Sequence, residues 1–203
     1  MLRFLVLAIL SINVYHCVSQ GVTSAQLSTI MPNNKHPEYL QYINAAMAEG
    51  GITSCHCKSA FLAQLAHESG ELRYMEEIAS GAAYEGRKDL GNIYPGDGVR
   101  YKGRGPIQLT GRANYREAGK ALGLDLENNP TLAATPQVGF RIAVWFWTTR
   151  GLNGLCQQGT RDSFIAITRK INGGTNGLAD REKFWNRAMA VFGCSAGTAG
   201  KKP

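Results

Sequence analysis

A carboxyl group that stays protonated near neutral pH can deliver a proton to a leaving oxygen, and a second one across a gap can activate water. The sequence concentrates such groups. Of its 15 Asp and Glu residues, seven fall between positions 68 and 97, in a chain of net charge +7. They are Glu68, Glu71, Glu76, Glu77, Glu85, Asp89 and Asp97. Clustering like charges costs free energy unless cations screen them or function requires it. Arg73, Arg87, Lys88, Arg100, Lys102 and Arg104 are at hand for screening.

Glu68 stands out by position. It follows Phe61 and Leu65 at helical spacing, which predicts a place on the apolar face near the end of a helix. Desolvation and the negative end of the helix dipole would both favour its protonated form, as a general acid needs. The competing reading is a carboxylate inside a salt-bridge network. Glu77 lies nine residues on. One continuous helix would turn it to the opposite face, but Gly70 allows a stop and a reversal that presents Glu77 across a cleft. Inverting glycosidases hold their second carboxylate about 6.5–9.5 Å from the acid, with a water between. Glu76 and Glu85 compete with Glu77 on spacing alone.

The segment 101–115 is rich in glycine and planar polar groups. Gln108, Thr110 and Asn114 can form directional hydrogen bonds to sugar hydroxyls and acetamides, and Gly103 and Gly105 permit close backbone approach. A phosphate loop is excluded because no Gly-Lys-Ser/Thr ending is present. No basic run is dense enough to argue for nucleic acid. Net positive charge in a secreted protein favours anionic surfaces such as bacterial envelopes, and also simple solubility.

The elements that must position these groups are helical. Glu38 to Met47, Ser59 to Ser69 and Arg112 to Leu122 carry helical signals. So do a helix opened by Thr135-Pro136 with Phe140, Val144 and Trp147 on one face, a helix capped by Asp162 and running to Ile171, and Leu178 to Phe192. Residues 20–36 read as polar connection. The glycine-rich stretch from Gly70 to Gly105 reads as turns, loops or a small irregular sheet, and such long non-periodic stretches are usually functional. The three tryptophans read as core rather than sugar platforms. The fold class expected is mainly α, a helical domain with a small loop or sheet insert.

Residues 1–19 read as a secretory signal peptide. Arg3 starts it, an apolar run from Phe4 to Val14 follows, and Cys17 and Ser19 offer a cleavage site. The run is too short for a comfortable membrane span. Residues 20–195 would be one domain and 196–203 a short flexible tail. Removing Cys17 leaves Cys55, Cys57, Cys156 and Cys194, an even set that reads as two disulfides in an oxidising compartment. Cys55 and Cys57 sit too close for a bridge with each other, so each should reach Cys156 or Cys194, in an order the sequence leaves open. A metal site on Cys55, His56 and Cys57 is the rival, though zinc pairs usually have two to four residues between cysteines.

Three separated motifs resemble those of the family-19 glycoside hydrolases, the chitinase family with a lysozyme-like α+β fold. Ala66-His67-Glu68-Ser69-Gly70 resembles the catalytic-acid motif. Tyr101-x-Gly-Arg-Gly-Pro-Ile-Gln-Leu-Thr110 resembles the second signature, and Ile171-Asn172-Gly-Gly with Asp180-Arg181 resembles the third. Tyr84-Glu-Gly-Arg-x-Asp-Leu-Gly-Asn92 and Pro95-Gly-Asp-Gly98 are similar to the endolysin branch carried by bacteriophages, whose members degrade peptidoglycan; plant and actinobacterial members degrade chitin.

The resemblance implies inverting hydrolysis of β-1,4 bonds beside N-acetylglucosamine by a secreted monomer, without metal or cofactor. Glu68 matches the acid, Glu77 the base and Thr110 a water-positioning residue. Gln108, Asn114, Asn172 and Tyr101 fall at sugar-contacting or motif positions, and Arg181 and His67 at supporting ones. Two departures stand out. Plant members carry a further glutamate after Asn-Gly-Gly, where this chain has Thr175 and Asn176, which weakens the assignment of Arg181. Glu71 stands where many chitinases have glycine. A non-catalytic glycan-binding protein on the same fold is the reading from another class.

Overall fold

The computed structural model describes residues 21–195; the expected signal peptide and the tail lie outside the described residues. Nine α-helices follow one another among them: α1 (Ser24–Ile30), α2 (Leu40–Glu49), α3 (Cys55–Glu68), α4 (Asp97–Arg100), α5 (Arg112–Leu122), α6 (Pro136–Thr149), α7 (Leu152–Cys156), α8 (Arg161–Asn172) and α9 (Leu178–Phe192). The mainly α class holds. The expected sheet reduces to two isolated antiparallel bridges, Glu76 with Arg104 and Arg104 with Leu109.

Helix α3 is the axis of the molecule. Its sequence suggests one apolar face, yet Cys57 and the whole run from Ser59 to Ala66 are buried. It is therefore surrounded rather than laid on a surface. It starts four residues before the expected Ser59, because the Ser54 hydroxyl caps the Cys57 amide at 3.2 Å. Phe61 meets Trp147 edge to face, with ring centroids 5.3 Å apart. Trp147 and Trp185 lie in the core, while Trp145 is only half-buried.

Helices α3 and α9 run antiparallel, tied at both ends. Cys55, which opens α3, is bridged to Cys194, just beyond α9, and Cys57 is bridged to Cys156 at the end of α7. This settles the pairing left open by the sequence and consumes the sulfurs of the Cys-His-Cys run. At the opposite end, His67 and Glu68 meet Asp180 and Arg181 in the first turn of α9. The negative end of one helix dipole thereby faces the positive end of another.

Several local expectations need correction. Residues 20–36 contain α1, which the polar composition hid. A reciprocal capping box between Thr23 and Gln26 starts it, and Leu27 and Ile30 are buried. The expected helix from Glu38 to Met47 is a 3-10 turn (Pro37–Tyr39) followed by α2. Helix α8 is capped by Thr160 in a capping box with Ser163; Asp162 sits inside the first turn, where its charge suits the dipole. Thr135 is the N-cap residue of α6, but its hydroxyl donates to the Leu132 carbonyl at 2.7 Å instead of capping. Arg112–Leu122 and Leu178–Phe192 form at the expected bounds.

Candidate active site

Helix α3 ends on Glu68, and the chain reverses at once. The buried Ser69 hydroxyl donates to the Leu65 carbonyl at 2.6 Å and accepts the Leu72 amide at 2.8 Å, closing the turn. Glu71 and Leu72 follow with φ of 62° and 66°. Left-handed backbone is strained for residues with a Cβ. Glu71 is held regardless: its carboxylate accepts the Asn33 amide at 2.8 Å and the Asn33 side-chain NH₂ at 2.7 Å.

After the turn, residues 75–77 pair with 103–105. The Glu77 amide donates to the Gly103 carbonyl at 2.9 Å, and the Gly105 amide to the Met75 carbonyl at 2.8 Å. Alternation on paired backbone sends neighbouring side chains to opposite sides. Glu76 takes Arg104 and Lys102, at 3.1 and 3.2 Å. Against the penalty of burial, these two cations hold its carboxyl below the usual range. Glu77 instead accepts from two neutral donors, the Tyr84 hydroxyl at 3.0 Å and the Gly103 amide at 2.9 Å. Burial, and next the Glu77 carboxylate, push the Tyr84 phenol up, so it stays a donor.

The rivals of Glu77 are hydrogen-bonded too, to different partners. Glu85 accepts the Gly96 and Gly98 amides at 2.7 and 2.8 Å and so anchors the start of α4. Asp97 accepts the Ile93 and Tyr94 amides, both at 3.0 Å, and pairs with Arg112. Asp89 pairs with Arg87. Much of the acidic cluster therefore clamps backbone in a segment that has almost no ladder of its own.

Gly103 is where the second signature meets Glu77. A Cβ there would come within 2.6 Å of Gln108 Oε1 and 3.2 Å of Glu77 Oε2, so only glycine lets the two groups converge. Gln108 has φ 56° and anchors its NH₂ on the Gly105 carbonyl at 3.0 Å, leaving Oε1 turned towards this point. The Thr110 hydroxyl donates to the Gln108 carbonyl at 3.0 Å, which leaves its oxygen as an acceptor. Asn114 donates to the Thr110 carbonyl at 2.7 Å. Glu77, Gln108, Thr110 and Asn114 thus form one connected cluster.

Glu68 belongs to another, made by α3, α8 and α9. Its Oε1 accepts from Arg181 Nη2 at 2.5 Å; the arginine side chain is fully buried and that of Glu68 is 18% exposed. This partner, rather than an apolar helix face, defines the surroundings of Glu68. The His67 ring Nδ1 lies 2.8 Å from Asp180 Oδ2. Gly177, at φ 67°, packs on that ring so closely that a Cβ would lie 2.1 Å from it. Asn172 ends α8 with its Oδ1 buried and unpaired among the described residues. An orphaned buried acceptor is costly and calls for a donor from elsewhere.

Tyr101 needs correction as a substrate contact. It is 1% exposed, its hydroxyl donates to the Glu127 carbonyl at 2.9 Å, and its ring packs on Tyr115. Arg104 is a residue the sequence offered only as generic screening. It is 5% exposed and binds Glu76, the Arg100 carbonyl and the Tyr115 hydroxyl. Its place inside the second signature was the available signal. Gln64 and Asn176, which both contact Arg181, carried no such signal.

Residues 39–161 match the family model described as chitinase class I. The chain belongs to this family, the family-19 glycoside hydrolases. Glu68, Glu77, Gln108, Thr110 and Asn114 lie inside the matched span, and Asn172 and Arg181 follow it. An Arabidopsis thaliana endochitinase is 47% identical over 118 residues, 57% of this chain and 38% of the relative. A family-19 domain-containing protein of Haemophilus influenzae is 29% identical over 84% of this chain and 96% of its own. The chain thus spans about two fifths of the length of the Arabidopsis endochitinases it matches. The crystal structure of chitinase C from Streptomyces griseus superposes with a TM-score of 0.70 at 27% identity, covering 87% of this chain and 94% of that one. A class IV chitinase from Zea mays gives 0.62 at 27% identity, covering 83% and 87%.

Proposed function

We propose that this chain hydrolyses the β-1,4 links of chitin in a single displacement, outside the cell and as a monomer. Glu68 protonates the leaving oxygen. Glu77 takes a proton from water, which attacks the anomeric carbon from the opposite face. Thr110 accepts a second hydrogen bond from that water. Gln108, Asn114 and the orphaned Oδ1 of Asn172 meet hydroxyls and acetamides of the substrate.

One observation carries this reading. On either side of the tight 69–74 turn stand two carboxyls with different partners, one fixed by a buried arginine and one by neutral donors. Carboxyls in unlike environments can take different roles, and the buried arginine contributes by holding Glu68 in place. Chitin is preferred because the relatives and solved structures similar to this chain include endochitinases and chitinases by name. Two disulfides suit an oxidising compartment.

Release of soluble fragments from colloidal chitin and from purified peptidoglycan, by wild type and Glu68→Gln side by side, tests the proposal. Fragments from chitin with wild type alone are expected. Fragments from peptidoglycan alone would move the substrate to the bacterial wall, in keeping with the net charge of +7. Binding without turnover by both proteins would make the chain a glycan-binding module.

A further inference from the structure

Four residues before Glu68, on the same side of α3, lies Gln64, a polar side chain with no exposure in the middle of the core. Its amide orientation follows from chemistry. Arginine has no acceptor, so Oε1 must face Arg181, whose Nη1 donates to it at 2.5 Å. The NH₂ then donates to Thr168 Oγ1 of α8 at 2.8 Å. The guanidinium is gripped at three points: Nη1 by Gln64, Nε by the Asn176 carbonyl at 3.1 Å, and Nη2 by Glu68. Two of the three grips are neutral. Among the described residues, Glu68 is the carboxylate in salt-bridge range of this buried cation.

We propose that Gln64 is a positioning residue for the acid: it fixes the Arg181 plane from inside the core and thereby fixes where Arg181 holds Glu68. A buried network works as a unit only when every member is satisfied. Here the chain Thr168, Gln64, Arg181, Glu68 runs from α8 through the core to the mouth of the site. Losing the amide frees one corner of the guanidinium and lets Glu68 drift; an error of about 1 Å in a reacting group can cost on the order of a hundredfold in rate. Replacing the neutral acceptor by a carboxylate gives Arg181 a second anionic partner beside Glu68. Next to Glu68 and Arg181 in sequence, His67 of α3 and Asp180 of α9 pair with each other; α8 contributes the neutral Thr168 to the cluster, and the 173–177 loop the Asn176 carbonyl.

This inference rests on Glu68 being the acid of the proposed hydrolysis. Steady-state kinetics on a soluble chitin oligosaccharide would compare wild type, Gln64→Met, Gln64→Glu and Glu68→Gln, with thermal melting of each. Gln64→Met keeps the volume, and it should lower kcat about tenfold to a hundredfold with KM little changed. Gln64→Glu keeps an oxygen for Arg181 and should fold even where Gln64→Met does not. Added negative charge disfavours ionisation of a neighbouring acid. The alkaline limb of the kcat profile should therefore move to higher pH in Gln64→Glu. A profile superimposable on wild type, or a folded Gln64→Met with wild-type kcat, would overturn the inference. An active Glu68→Gln would overturn the acid role of Glu68 instead, so the two failures are distinguishable.

Discussion

The two sides of the site are built in opposite ways. Glu68 ends a buried helix that disulfides hold at its far end and an ion pair holds at the near end. Glu77 stands in the irregular stretch between α3 and α5, held by a backbone pairing with 103–105 and by side chains gripping loop amides. The Glu68 side draws its precision from core packing; the Glu77 side draws it from polar groups reaching into a segment with little regular structure. The glycine-rich side should open the more readily of the two, since loops open at lower free energy than core helices.

Removing either carboxyl tests the comparison most severely. Glu68→Gln and Glu77→Gln should each lower kcat by about 10²–10⁴-fold, the range expected for general acid or base groups. Glu85→Gln should cost far less, because both oxygens of that carboxylate accept backbone amides at the start of α4. A Glu77→Gln enzyme with near-normal turnover would move the base elsewhere.

The disulfides come next. Cys57→Ala with Cys156→Ala should lower unfolding free energy by about 2–5 kcal/mol in urea, as expected for a native bridge closing a long loop. Turnover of the remaining folded enzyme should stay close to wild type. Lost turnover with unchanged stability would contradict a purely structural role.

On the Glu77 side, Tyr84→Phe removes one neutral hydrogen bond from Glu77 and leaves the Gly103 amide in place. A net value of about 1 kcal/mol for such a bond predicts a loss of roughly fivefold in kcat. No change would show that the backbone alone fixes Glu77.

The smallest effect concerns acid tolerance beneath the insert. The Arg116 hydrogen bond, resisted by burial and then supported by Arg112, holds the Glu127 carboxyl at about 2, below its ordinary 4.5. A lowered folded-state value stabilises the protein above pH 4.5, and that contribution fades as pH falls towards 2. Wild type should therefore melt above Arg116→Ala near pH 6, and the gap should close as pH approaches 2.

Much of the Glu68 side was legible in the sequence, because helical periodicity and glycine stops are local features of the chain. The bounds of α5 and α9 came out as read. Helix α1 did not, since seven residues with two buried side chains leave almost no periodic signal. Glu68 was legible as a helix-end carboxyl, but its surroundings were not, because Arg181 lies 113 residues away in sequence. On the Glu77 side, composition revealed the acidic cluster without its division of labour. Glu76, Glu77 and Glu85 are alike in type and close in sequence; what separates them is which amide or cation each meets after folding. Tyr101 misled for a related reason, as a residue inside a signature can serve by filling space.

In the proposed hydrolysis, Glu68 and Glu77 act as acid and base on opposite faces of the sugar. The most direct test is the anomeric form of the products at the moment of cleavage, read by proton NMR on a β-linked chitin oligosaccharide. New reducing ends should appear first in the α form and only later equilibrate. New ends appearing first in the β form would mean retention through a covalent or substrate-assisted route and would contradict the proposal.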